Sequence, residues 1–207
     1  MGEVVTAERL EAGRSMRTRA VLVEAALGRL RTDGSFTAEQ VAADAGVSVA
    51  TIYNRFPGGR DGLLATAFDS ALHRVAEAYS GPLTADHLLD HGLEVTMRTM
   101  VDRLAEVFTD EALVFRAALA RLSESRAIRD TYRHHEAVAR AANRRFIELG
   151  QAAGRIATGS PDEFADLLLV VGQGVNNPVL LGASNRDPLC ARITAALVAV
   201  LSPETSR

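Results

Sequence analysis

The sequence contains no lysine; all 23 of its basic residues are arginine. That absence excludes a lysine nucleophile, a Schiff-base lysine and the lysine of a phosphate-binding P-loop. Cysteine is nearly absent too. Cys190 stands alone, so neither an intrachain disulfide nor a cysteine-rich zinc site can form. The expected setting is a reducing one, the cytoplasm. An excess of positive charge is also missing, because 26 acidic residues leave a formal net charge of -3. A protein that coats nucleic acid indiscriminately needs the opposite balance, so any nucleic-acid binding has to be local. Residues 167–185 form the longest uncharged stretch, but Gln173, Asn176, Asn177, Pro178 and several glycines interrupt it. A membrane span needs about 20 mostly apolar residues, so no membrane partner is expected. The charged opening, residues 1–12, does not read as a secretion signal.

What is present favours helix. Ala, Leu, Arg and Glu dominate the 207 residues, and the apolar fraction is 47%. Residues 1–13 read as a loose, charged arm. The pattern Leu22, Ala26, Leu27, Leu30 predicts a helix over about residues 15–31, with Gly34 as its left-handed end. Thr37 and Gln40 then match a capping box, flanked by Phe36 and Val41 as a hydrophobic staple. A helix is therefore expected from Ala38 to near Ala45. Gly46 supplies a turn, Ser48 caps a second short helix, and Pro57-Gly58-Gly59 ends it. Two short helices joined through a glycine turn are the signature of a helix-turn-helix.

Downstream, helices are expected over about 60–80, 84–109, 111–123, 125–151, from Pro161 to about 182, and from Asp187 to about 201. Ser160-Pro161-Asp162-Glu163 is a second capping box. No strand, internal repeat or low-complexity segment is visible. The fold class is all-α, and the expected layout is an arm (1–13), a helix-turn-helix domain (14–60) and a larger helical domain (61–207).

Residues 19–34, 36–46 and 47–64 together resemble the DNA-binding domain of TetR/AcrR-like transcriptional regulators. The resemblance rests on Ala25-Ala26-Leu27, Val41-Ala42, Ala45-Gly46-Val47-Ser48 and Thr51-Ile52-Tyr53 followed by Phe56. It covers roughly 50 residues, and the remainder matches in all-helical layout and length. Three details depart from the family pattern. Asn54-Arg55 follows Tyr53, the loop 57–61 is one residue longer with Arg60 as its basic residue, and Glu39 places an acid on the second helix.

A recognition helix puts its N-terminal residues into the major groove. Ile52 should point inward, leaving Val49, Ala50, Tyr53 and Asn54 outside. Val49 and Ala50 suit a thymine methyl, and Asn54 has the donor–acceptor pair that fits adenine. The hydroxyls of Ser48, Thr51 and Tyr53 suit phosphate oxygens, a role the resemblance also gives Tyr53. Thr37, Arg17 and Arg60 complete the candidate DNA-facing set. Charge supports this locally: residues 14–60 carry a balance of +3, and residues 61–207 carry -4. Arg14, Arg17 and Arg19 crowd the start of a helix, which its dipole disfavours and a polyanion would favour. Arginines at a helix start also serve simply as a solvated end.

Beyond this domain no catalytic constellation appears, and no cofactor or enzymatic activity is expected. His134 and His135 point about 100° apart on a helix, so they do not share a metal readily. His87 and His91 are four apart but lack an evident third ligand, and surface or pocket roles fit all four better. Family resemblance implies a small-molecule cavity in the C-terminal helices. Candidate lining residues are Met97, Met100, Phe108, Phe115, Arg116, Asn143, Gln173, Asn176 and Asn177, around a partly apolar effector. The 172–178 interruption suits a kink, a pocket wall or a dimer seam. The strongly apolar last two helices suit a homodimer seam, which fits a palindromic, double-stranded operator. The expected protein is a ligand-released repressor. A small-molecule-binding helical protein or enzyme without DNA function is the alternative.

Overall fold

The computed structural model describes residues 2–184 and 186–203. Among these the chain forms helices and no strand: α1 (Gly2–Asp33), α2 (Ala38–Asp44), α3 (Val49–Arg55), α4 (Arg60–Ser80), α5 (Ala85–Leu119), α6 (Arg126–Ala152), α7 (Pro161–Gly174), α8 (Pro178–Leu181) and α9 (Asp187–Leu201). The all-α expectation holds. Two compact units divide the chain, one of residues 1–71 with 112–132, the other of residues 72–111 with 133–207. Asp61 pairs with Arg121 at 2.8 Å, and Phe68 meets Phe115 edge-on at 5.1 Å and stacks on Tyr132 at 6.2 Å. These contacts join the first half of α4 to the segment 112–132.

In the first unit α1 buries Leu22, Ala26, Leu27 and Leu30 against Phe36, Val41, Ile52 and Phe56. Burying one such side chain stabilises by about 1.5–3 kcal/mol, so packing rather than intrinsic propensity holds the two seven-residue helices α2 and α3. The capping box forms as expected, with Gln40 N donating to Thr37 Oγ1 at 3.2 Å and Thr37 N to Gln40 Oε1 at 2.8 Å. Arg29 grips Asp44 with two donors, at 2.6 and 2.9 Å, tying α1 to α2. α1 itself starts at Gly2 and so runs back through the segment expected to be a loose arm. Ala7, Leu10, Glu11 and Ala12 are good helix formers, and the helix continues through Gly13 to reach Ser15.

In the second unit α5 carries a fully buried stripe of Met97, Met100, Val101 and Leu104, continued by Phe108. The break expected near residue 110 is absent, and the interruption comes at Gly92, whose φ of 79° and ψ of 170° leave helical geometry. Glycine adopts that conformation without the Cβ penalty other residues incur. Continuity at 109–111 is supported by Thr109, which bonds the Ala105 carbonyl at 2.6 Å, and by Glu111, which is fully buried and pairs with Arg74. The helix opened by Ser160 ends at Gly174, and Asn177 caps the short α8 by accepting from Val179 N at 2.9 Å. On α9 Cys190 is buried; burial pushes its thiol pKa up, and Asp102 adds to the shift. Val170, Val179, Leu189 and Val200 leave large apolar side chains exposed on α7, α8 and α9.

Candidate functional site

α3 is the helix that the sequence assigns to DNA. Ile52 is its one buried side chain, and Ala50, Tyr53 and Asn54 face outward, with Val49 half-buried. Ser48 occupies the cap position without bonding a backbone amide. Its hydroxyl instead shares a 3.0 Å hydrogen bond with Thr51 Oγ1, which corrects the expected side-chain cap. Thr37 is exposed at the start of α2, with its hydroxyl engaged by the capping box. Beside it the Glu39 carboxyl is held below its ordinary pKa, first by its own backbone amide and then by the Thr37 hydroxyl. An ionised acid therefore stands on this face.

Tyr53 is 59% exposed, yet its ring has a fixed neighbour. A Cβ built on Gly59 would lie 2.5 Å from Tyr53 Cε1 and 2.9 Å from Cδ1. The ring therefore rests on bare backbone that only glycine leaves open. Gly58 and Gly59 both have positive φ, 87° and 58°, so the longer loop noted in the sequence closes through two left-handed residues and forms the shelf beneath Tyr53.

The arginines of this unit divide by occupation. Arg19 donates to the Arg55 carbonyl at 2.8 Å and to Thr66 Oγ1 at 3.1 Å, and lies 4.4 Å over the Phe56 ring. Arg55 donates to Ser15 Oγ at 2.5 Å. Arg60 donates to the Phe36 carbonyl at 2.9 Å and covers the Phe36 ring at 5.2 Å. Arg60, expected to face phosphate, is thus half-buried and fastens the start of α4 to the loop before α2. Arg17 is exposed, with Nε on the Gly13 carbonyl at 3.3 Å, and Arg14 is exposed one turn earlier.

The expected ligand-facing residues are scattered. Met97, Met100, Phe108 and Asn143 are buried in the second unit, and Phe115 is buried in the first. Arg116, Gln173 and Asn177 are exposed and Asn176 is half-buried. Gln173 donates to Glu136 at 2.8 Å, joining α7 to α6. Asn143 is fully buried, and its Nδ2 donates to the Ala165 carbonyl at 3.2 Å. Sequence reasoning missed Tyr79. It is buried on α4, seven residues after Leu72 on the same apolar stripe, and that spacing was the available signal. Its ring lies against Gly172, where a Cβ would sit 3.1 Å from Tyr79 Cε2. Tyr79 Oη and Asn143 Oδ1 are both buried without a hydrogen-bond partner, each an omission that costs about 1–3 kcal/mol. Of the histidines, His87 and His91 meet at 4.6 Å and His73 and His135 at 4.8 Å. No helix of the described residues is long and apolar enough to cross a membrane.

No protein-family model matches the chain, and no curated protein matches it. Solved structures do. A protein from Mesorhizobium loti assigned to the TetR family of transcriptional regulators is 22% identical, with 91% of this chain and 98% of that one covered at a TM-score of 0.72. A TetR transcription regulator from Haloarcula marismortui is 18% identical, covering 90% of this chain and 100% of that one, with a TM-score of 0.73. A transcriptional regulator from Rhodococcus is 21% identical, over 88% and 97%, with a TM-score of 0.63. At these identities the common property is architecture: the chain has the fold of TetR-family regulators, an N-terminal helix-turn-helix followed by a helical C-terminal part.

Proposed function

We propose that this protein is a DNA-binding transcriptional regulator of the TetR type. It binds a palindromic operator as a homodimer, works in the cytoplasm as a repressor, and is released by a small molecule held in its C-terminal helices. The observation that carries the reading is the outward face of α3. Ala50, Tyr53 and Asn54 project from a helix whose inner residue, Ile52, is fully buried. A helix fastened in this way can enter the major groove with its N-terminal residues on base edges. Asn54 suits adenine, Val49 and Ala50 suit a thymine methyl, and the Tyr53 hydroxyl suits a phosphate. Because Arg19, Arg55 and Arg60 are turned to internal acceptors, hydroxyls, backbone amides, Arg14 and Arg17 supply most of the phosphate contacts.

The exposed apolar residues of α7, α8 and α9 support the dimer, since a two-fold seam buries the same patch of both copies. Release follows if the effector prefers the conformation that DNA does not. The test is gel-shift selection of an inverted-repeat DNA by the full chain. Tyr53→Ala and Asn54→Ala should each weaken it at least about tenfold, with the dimer intact. Unchanged affinity in both variants would overturn the assignment of α3.

A further inference from the structure

Two buried polar side chains of the second unit stand beside each other. Tyr79 is 6% exposed and Asn143 0%, yet the phenol hydroxyl and the amide Oδ1 both lack a partner. The two side chains face each other across α4 and α6. Burial pushes the Tyr79 pKa up, and the Asn143 amide beside it opposes the shift. The orientation of the amide is fixed. Its Nδ2 donates to the Ala165 carbonyl on α7, which leaves Oδ1 as the unpaired acceptor. One wall is the backbone of Gly172 against the Tyr79 ring, with Leu104 Cδ1 3.6 Å from the point a Cβ would occupy. Toward the surface, α4 and α6 meet again where the rings of His73 and His135 touch at 4.8 Å. Ala76 and Ala139 stand between the two crossing points, three and four residues from each neighbour, and both are half-buried. A strip of methyl side chains therefore separates a histidine rim from a polar floor.

We propose that Tyr79 and Asn143 form the polar end of a binding site for an uncharged small molecule that carries a hydroxyl on an apolar body. The proposal rests on the effector reading above and names its chemistry. One hydroxyl serves both groups: its oxygen accepts from the Tyr79 O–H, and its proton goes to Asn143 Oδ1. An ether oxygen can only accept, so it leaves Oδ1 unsatisfied. A carboxylate offers no donor either, and it brings a charge into a buried site. The apolar body lies along the Ala76 and Ala139 strip.

The test uses the full chain and three probes that share a benzene ring and differ in its single substituent: phenol, anisole and toluene, titrated by calorimetry. Phenol should bind at least about tenfold more tightly than anisole or toluene, since only it supplies the donor. Tyr79→Phe and Asn143→Leu should each bring that preference below about threefold. Tyr79→Phe removes one atom and keeps the ring, so it carries the test if the Asn143 variant does not fold. Equal binding of all three probes, or saturable binding of none, overturns the site. So does a fall of several degrees in the melting temperature of ligand-free Tyr79→Phe, which would show that the hydroxyl is already satisfied. DNA release is read separately. Phenol that saturates the site without loosening DNA keeps the site and removes its regulatory role. A different compound that releases DNA while the phenol preference is absent leaves the effector reading standing and the site overturned.

Discussion

The shelf beneath Tyr53 gives a matched pair of substitutions. Gly58 and Gly59 both have positive φ, so alanine at either costs about 1–2 kcal/mol of backbone strain. They differ in what the new Cβ meets. At Gly58 the nearest atom is Gly62 N at 3.6 Å, an ordinary contact; at Gly59 it is Tyr53 Cε1 at 2.5 Å. To restore a separation of 3.4 Å the ring has to retreat by about 0.9 Å. A hydroxyl–oxygen hydrogen bond tolerates a range of only about 0.5 Å, so a Tyr53 contact to phosphate is lost. Hydrogen bonds to charged groups are worth about 1.5–3 kcal/mol, and some tilt of the exposed ring recovers part of that. Gly59→Ala should therefore weaken operator binding about tenfold per half-site, and Gly58→Ala by less than about threefold. Urea unfolding should show similar stability losses for both. Fluorescence anisotropy on labelled operator DNA measures the difference. In a Tyr53→Ala background Gly59→Ala should add nothing to the loss of affinity. Equal weakening by the two alanines, or a further loss without the tyrosine ring, would refute the positioning role.

Three other outcomes are expected. Val170→Arg or Val200→Arg places a charge on the exposed apolar face of α7 or α9 and should convert the proposed dimer to monomer in sedimentation, with helicity retained. The hydrogen bonds from Arg29 hold the Asp44 carboxyl below its ordinary pKa. A depressed native value contributes stability above the unfolded pKa that is lost as pH falls through the folded one. The urea midpoint should thus drop from about pH 5 to about pH 3 by more in the parent than in Arg29→Met. The logarithm of operator affinity should fall with that of salt with a slope of about -4 for the dimer, counting Arg14 and Arg17 from each copy; a slope beyond about -8 would show that the inward-turned arginines swing out to phosphate.

The helix-turn-helix was legible because its signals are local. A capping box, a glycine turn and a buried Ile52 each act within a few residues, and each reappears in the structure, apart from the Ser48 cap. What distant residues decide was not legible. An arginine in sequence carries the same charge whether it meets a phosphate or, like Arg60, a carbonyl 24 positions away. Gly92 sits among good helix formers, and one glycine there looks tolerable until its φ is known. The reach of α1 before Ser15 showed no apolar period to declare it, because charged and small residues separate Val4 and Val5 from Leu10. In the C-terminal part, composition suggested Asn143 as a ligand contact. Its place beside Tyr79 depends on how α4 and α6 meet, which no spacing along either helix contains.

The solitary cysteine has a use unrelated to its chemistry in the cell. Cys190 is 4% exposed, near the start of α9. A thiol-reactive dye can reach it only when that turn opens, and with no second cysteine in the sequence the signal has a single source. Labelling rates under native conditions therefore report the opening free energy of one turn. Measured with and without operator DNA or a candidate effector, they show whether either one tightens the first turn of α9.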